Sequence, residues 1–348
     1  MVSTMTESEL TIIGAGPMGL ELAVAVKRAG FDYLHLEASQ IGQTMYQWPP
    51  LTRWFSSPER IAIAGVPIPN VDQSKCTREE YLAYLRSVAI QFDLQIRTYE
   101  PIEALAQSDR GFTMRTRTLA GESNAYSSKY VVLCTGGTAR PNRLDITGED
   151  LPHVSHWLED PHKYFGRRVL IVGGRNSAVE AALRLYHAGA RITISYRGEA
   201  FPGRVKYWLK PEIEDLIARG TITAHFMTLP TQITPSHVTC RPVAGDGAAF
   251  EVPADFVLLM VGYAADMSLF RMAGVELTGD REVPTFDHNT METNVPGLFV
   301  AGTSCAGTQR SGVRVFLENC HVHADRIVAA ITGAPPPPTP PPLTLPEA

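Results

Sequence analysis

Short apolar runs alternate along this chain with longer stretches in which apolar residues recur every three or four positions. Leu10–Ile13, Tyr33–Leu36, Tyr130–Cys134, Val169–Val172, Arg191–Tyr196, Phe256–Val261 and Leu298–Ala301 read as strands. Met18–Ala29, Arg78–Phe92, Ala178–His187, Pro211–Ala218 and Arg314–Ile331 read as helices. This alternation predicts an α/β fold of parallel sheets with crossover helices. Near its end the chain reads Pro335-Pro336-Pro337-Pro338-Thr339-Pro340-Pro341-Pro342. Such a run forms neither a helix nor a central strand, because proline has no N–H to donate. Residues 334–348 are therefore expected to be a disordered, solvated tail.

Two strand-to-helix junctions are glycine turns, about 160 residues apart. Gly14-Ala15-Gly16-Pro17-Met18-Gly19 follows the first strand, and Gly173-Gly174-Arg175-Asn176-Ser177-Ala178 follows Val169–Val172. The pattern predicts two Rossmann-like dinucleotide-binding domains. Phe256–Val261 reads as the closing strand of the second unit and Leu298–Ala301 as a return to the first. A second domain of residues 160–264 is thus expected inside a first domain of residues 8–159 plus 265–333, with crossings at 145–162 and 264–269. Two nucleotides on one chain are what electron transfer between them requires, so an oxidoreductase is the leading reading.

Each glycine of the first turn has its own reason. Gly14 permits the tight turn out of the strand, Gly16 lets the backbone approach a pyrophosphate, and Gly19 lets helix and strand pack closely. The helix start, with Pro17 and Met18, offers N–H groups and positive dipole to phosphate. Glu37 ends the next strand, where a carboxylate accepts the ribose hydroxyls of an adenosine and repels a 2′-phosphate. The ligand is FAD or NAD rather than NADP. Cys134-Thr135-Gly136-Gly137 and Ala301-Gly302-Thr303 end further strands where an extended flavin cofactor would meet backbone, which favours FAD.

In the second turn Arg175 stands where the middle glycine would be. Either this turn approaches the pyrophosphate less closely or Arg175 itself contacts phosphate; Asn176 and Ser177 offer further hydrogen bonds. The following strand ends in Arg197, not an acid. A guanidinium there suits a 2′-phosphate through charge-assisted bonds, which predicts NADPH over NADH.

The bulk numbers narrow the partners. A net charge of −5 argues against nucleic acid or an anionic membrane as the main partner. No apolar stretch reaches the ~18 residues a membrane span needs. The first nine residues are polar, unlike a signal peptide, and the five cysteines are widely spaced without a Cys-x-x-Cys pair. A cytoplasmic protein is expected. No histidine–cysteine–acid cluster has the spacing of a metal site.

Together these motifs resemble the thioredoxin-reductase-like flavoproteins, and within them most closely the YpdA group of bacillithiol disulfide reductases. The similarity covers most of residues 8–332 and is most specific at Tyr46–Ser57, Gly148-Glu149-Asp150-Leu151-Pro152, Gly173–Leu185, Lys206-Tyr207-Trp208-Leu209-Lys210-Pro211 and Phe316-Leu317-Glu318-Asn319. The resemblance implies a homo-oligomeric, NADPH-dependent FAD enzyme that reduces a small electron acceptor, a low-molecular-weight thiol disulfide. Two positions depart from the pattern. The family's first glycine turn carries a redox-active cysteine just before its last glycine; here that residue is Met18, and a thioether forms no mixed disulfide. Thioredoxin reductases proper place an aspartate where Thr303 stands.

If a thiol takes part, Cys305 is the best-placed candidate because it follows Ala301-Gly302-Thr303-Ser304; the competing reading is a small buried hydrophobe. A helix from near Gly312 would aim its N-terminus at the flavin. His321 and His323 are candidate proton carriers, and Trp48, Trp54 and Phe55 candidate covers for the flavin or core residues. Two rivals differ in class. A flavin monooxygenase would carry Phe-x-Gly before a histidine, and Ile146-Thr147-Gly148 before His153 lacks both the phenylalanine and the spacing. A non-catalytic FAD/NADPH-binding redox sensor gains weight from Met18.

Overall fold

The computed structural model describes residues 5–70, 74–244, 247–309, 315–335 and 337–338. The chain opens with β1 (Thr6–Ile13), α1 (Pro17–Arg28) and β2 (Tyr33–Leu36). Helix α2 (Arg78–Gln91) starts in a capping box: the Glu80 N–H donates to Thr77 Oγ1 at 3.2 Å and the Thr77 N–H to Glu80 Oε2 at 2.7 Å. Then come β3 (Ile96–Arg97), β4 (Ile102–Ser108), β5 (Gly111–Arg117) and β6 (Ser123–Leu133). The next stretch holds β7 (Val154–Ser155), β8 (Arg168–Val172), α3 (Asn176–His187), β9 (Arg191–Tyr196), α4 (Lys210–Ala218) and β10 (Thr223–Phe226). It ends with β11 (Thr228–Ile233), β12 (His237–Pro242), β13 (Phe250–Pro253) and β14 (Phe256–Leu259). Strand β15 (Leu298–Val300) and helix α5 (Val322–Thr332) complete the chain.

The contacts separate two compact units: the described residues of Met1–Gln47, Leu51–Arg140 and Tyr263–Ala348, and those of Trp48–Pro50 and Pro141–Gly262. The first crossing falls at Arg140/Pro141, earlier than the stretch 145–162 that the sequence suggests. The reason is apolar: Leu144, Ile146, Leu151 and Val154 pack against the second unit's core.

In the first unit one sheet runs β3-β2-β1-β6-β5-β4, and β15 also pairs with β6. Strand β6 is 11 residues long and serves two neighbours on one edge. Ser123–Ser128 pair antiparallel with β5, and Val131–Leu133 pair parallel with β15. The antiparallel portion is absent from the sequence reading, which looked for parallel strands alone. Its signature is alternation: Phe112, Met114 and Thr116 of β5 are buried while Arg115 and Arg117 are exposed, as suits a sheet with one wet face.

In the second unit a parallel sheet runs β10-β9-β8-β14-β7. Its central strand is apolar on both faces. Val169 and Ile171 pack with Val179, Ala182 and Leu185 of α3, whereas Leu170 and Val172 pack with Ile233, Val238 and Val252 of the antiparallel sheet β11-β12-β13. All four side chains are at most 5% exposed, and burying each contributes about 1.5–3 kcal/mol.

The last helix differs from its expected course. Residues 317–319 form a single 3₁₀ turn and α5 begins only at Val322; Arg314 and Gly312 lie outside the described residues. Of the proline tail only Ala334, Pro335, Pro337 and Pro338 are described. Pro337 and Pro338 line a cavity of about 510 Å³ with Glu21, Arg28 and His321, away from every glycine-turn residue in its lining. Among the described residues no helix is long and apolar enough to cross a membrane.

Candidate dinucleotide sites

Three parallel strands of the first unit end together: Ile13 of β1 pairs with Leu133 of β6, which pairs with Val300 of β15. Ligands of α/β sheets bind beyond such carboxyl ends. Gly14 has φ +105°, and a Cβ there would lie 2.6 Å from the Cys134 carbonyl oxygen. A Cβ on Gly19 would overlap the Gly14 carbonyl oxygen, so both outer glycines are demanded by close backbone packing. Gly16 is different. No described atom lies within 4 Å of a Cβ built there, so the N-cap of α1 faces open space. Pro17 occupies the first helical turn, and the first turn carries no acidic side chain. This is a cradle that fits a pyrophosphate.

The Glu37 carboxylate closes the turn. Its Oε2 accepts from the Ala15 N–H at 2.7 Å and its Oε1 from the Ser39 N–H at 2.8 Å. Burial raises its pKa, and the two N–H bonds oppose that rise. Each oxygen retains a further lone pair for a ribose hydroxyl.

The structure brings the later sequence signals to this place. Gly302 has φ +78°, and a Cβ on it would lie 3.1 Å from Met18 Cγ. A Cβ on Gly137 would lie 3.2 Å from the Thr303 carbonyl oxygen, and Gly136 also borders the Thr303 side chain. Thr135 Oγ1 is buried and finds no partner among the described residues. Stretches at 14–19, 135–137 and 302–303 therefore lie together at these strand ends, with glycines where bulk would clash and the buried Thr135 hydroxyl beside them.

Cys305 is folded inward. It sits in the 3₁₀ turn Gly302–Ala306, is 5% exposed, and its Sγ lies 3.8 Å from His323 Nδ1. That nitrogen already accepts from the Gly302 N–H at 3.1 Å. Burial, with the neighbouring Cys320 and Cys134 thiols, holds the Cys305 thiol well above its ordinary value. Cys134 is pushed up to about 12 by burial, and Cys320 is raised for the same reason. None of the five cysteines is in a disulfide and all are buried, as packing thiols are. His321 is a clamp: its Nδ1 lies 2.8 Å from Glu21 Oε2 and its Nε2 donates to the Arg60 carbonyl at 3.1 Å. Trp54 packs on Tyr81 with ring centres 4.5 Å apart, and Phe55 is 42% exposed.

In the second unit Gly173 has φ +140°, and a Cβ there would overlap the Met260 carbonyl oxygen at the end of β14. Gly174 has another reason: its Cβ would stand 2.5 Å from Tyr196 Cγ, on the face of the ring. Arg175 is the N-cap of α3, exposed and extended, and its side chain makes no capping hydrogen bond. Ser177 is exposed in the first turn, which has no acidic residue. Asn176 departs from expectation, since its Oδ1 accepts from the Lys206 N–H at 3.0 Å and so anchors the 201–209 segment. Arg197 is exposed just beyond β9. An anion site with a nearby guanidinium fits a phosphorylated dinucleotide.

Two residues escape the sequence reading. Tyr196 explains Gly174, and His35, inside the otherwise apolar strand β2, meets the first turn from below. The signal for His35 was a lone imidazole in an apolar run; the signal for Tyr196 was its place one residue before Arg197.

The chain matches the model of the Pyridine nucleotide-disulphide oxidoreductase family over residues 11–302. It is 33% identical over 327 residues to the bacilliredoxin reductase Bdr of Bacillus subtilis (strain 168), covering 94% of this chain and 98% of that protein. It superposes on the Bacillus cereus bacillithiol disulfide reductase Bdr (YpdA) with a TM-score of 0.88 and 34% identity, covering 94% and 99% of the two chains. The Staphylococcus aureus counterpart gives 0.87 and 31% over the same shares. The chain thus belongs to the pyridine nucleotide-disulphide oxidoreductases, and is a flavoprotein reductase that uses FAD and NADPH.

Proposed function

We propose that the first glycine turn holds FAD, that the second holds NADPH, and that the enzyme passes reducing equivalents to a low-molecular-weight disulfide of the bacillithiol type. The observation that carries the cofactor assignment is the clustering of Gly14, Gly16 and Glu37 with Thr135, Gly136, Gly302 and Thr303 at the strand ends of one unit, set against the exposed Arg197 in the other. Bound FAD supplies the chemistry, taking a hydride from NADPH and yielding two electrons, so that NADPH, a proton and one disulfide give NADP⁺ and two thiols. The chain's residues position and shield. Glu37 receives the adenosine ribose, the α1 N-terminus the pyrophosphate, and the Thr135 hydroxyl and the backbone at Gly136 and Thr303 line the cofactor's far course. Arg175 and Arg197 serve the phosphates of NADPH. Disulfide chemistry is supported by the relatives' names and identities of 31–34%. With Met18 in the first turn and every thiol buried, that reduction runs without a mixed disulfide on the protein.

We further infer a cytoplasmic homo-oligomer; free cysteines and acidic balance support the first, the YpdA resemblance the second. The test is NADPH oxidation by FAD-loaded protein with bacillithiol disulfide, a quinone and oxygen offered separately. Turnover should be fastest with the disulfide and unchanged in Cys305→Ser. Oxygen-dependent NADPH use with a hydroxylated product would favour a monooxygenase, and no turnover with any acceptor would favour a sensor.

A further inference from the structure

The end of β2 grips the first glycine turn through three consecutive residues. The Gly14 N–H donates to the Leu36 carbonyl at 2.8 Å. The Ala15 N–H donates to Glu37 Oε2 at 2.7 Å. His35 Nε2 lies 3.0 Å from the Gly14 carbonyl oxygen. Gly14 C=O and Ala15 N–H belong to one peptide unit, so two side chains of the same strand hold that plane from opposite ends.

A carbonyl only accepts, so His35 Nε2 carries the proton and Nδ1 is bare. The imidazole is 0% exposed, and Nδ1 has no partner among the described residues. The position is costly for a polar ring: it lies between buried Leu34 and Leu36 and is paired across the sheet with Ile12 and Ile96. A Cβ on Gly19 would sit 3.4 Å from Nε2 and would overlap the same Gly14 oxygen. The glycine at 19 and the histidine at 35 thus share one job, making room for that carbonyl and giving it a donor.

We propose that His35 is a positioning residue for the flavin cofactor, fixing the Gly14–Ala15 peptide so that the turn is set for the pyrophosphate before FAD arrives. This rests on the reading that the first turn holds FAD. The physical reason is preorganisation. In the apoprotein a turn lacking this donor can relax and let the carbonyl find water. Binding then has to restore a peptide whose oxygen is buried and unpaired, so the loss falls on affinity more than on the fold.

The experiment uses full-length apoprotein, with FAD added back and followed by quenching of flavin fluorescence. The variants are His35→Leu, which keeps bulk without a donor, and His35→Gln, whose amide N–H reaches toward the same oxygen. Leucine should weaken FAD binding by about tenfold to a hundredfold, the range expected when a buried carbonyl loses its partner. Glutamine should recover most of the loss, and NADPH binding should not change in either. ¹⁵N spectra of histidine in the wild-type apoprotein should show His35 as the Nε2–H tautomer. Equal FAD affinity in His35→Leu, a glutamine variant as weak as leucine, or the opposite tautomer would each overturn the proposal. If wild-type apoprotein takes up no FAD at all, the cofactor assignment fails instead, and the two failures are told apart.

Discussion

The ring of Tyr196 lies flat against Gly174, so close that a methyl group on that glycine would stand 2.5 Å from Cγ. Gly198 crowds the far end of the same ring, 2.6 Å from Cε1 by the same construction. Gly174→Ala should therefore destabilise the protein by about 1–3 kcal/mol through overpacking. Urea unfolding of Gly174→Ala, Tyr196→Ala and the double variant checks it. The double variant should lose less than the sum of the singles, since removing the ring removes the clash. Additive losses would mean that the glycine is needed for something else.

Arg197 stands exposed beyond β9, where the sequence placed a receiver for a 2′-phosphate. Arg197→Ala should raise KM for NADPH by about tenfold to a hundredfold, the worth of a charged hydrogen bond, and leave the kinetics with NADH unchanged. Steady-state rates with both coenzymes decide. A parallel loss with NADH would assign the residue to the shared part of the nucleotide.

Glu37 holds the Ala15 and Ser39 N–H groups and retains acceptor capacity. Glu37→Ala should weaken FAD binding by about tenfold or more, whereas Glu37→Gln, which keeps one acceptor oxygen, should lose less. Titration of the apoproteins with FAD orders the three. Equal binding by alanine and wild type would remove the carboxylate from the site.

Two imidazoles make the fold sensitive to acid. Burial lowers His35 to about 4, and burial with the nearby Arg326, His288 and His321 lowers His323 to about 4. Unfolded histidine titrates near 6.5, so between those values the unfolded chain binds more protons and stability rises with pH. The contribution is complete above about pH 6.5 and is lost as pH falls toward 4, about 3 kcal/mol for His35. Asp255 acts later: Arg168 holds it at about 2, so its contribution disappears only below about pH 4. Urea midpoints from pH 7 to pH 4 should fall steadily, with a shallower fall in His35→Leu. A flat wild-type profile would contradict the burial of these rings.

Much of this was legible because glycine, proline and apolar runs report backbone requirements directly. Gly14, Gly19 and Gly173 occupy the close approaches their spacing implied, and β2, β9 and α3 begin or end within two residues of their expected bounds. The antiparallel strands β4, β5 and β11–β13 and the antiparallel first half of β6 were invisible to a search for parallel units, because half-wet strands mix Arg115 or Arg241 into the run. Of the two readings offered for Cys305, the buried one matches its 5% exposure; proximity in sequence to Gly302 says nothing about access, and the 3₁₀ turn folds the thiol inward. His35 passed unnoticed since its role depends on the carbonyl of a residue 21 positions away.

The burial of all five thiols reaches beyond the reaction itself. Peroxide inactivates reductases by carrying an accessible thiolate to sulfinic acid, and a chain that presents none offers that damage no target. That route of inactivation is closed by packing alone, before any question of thiol reactivity arises.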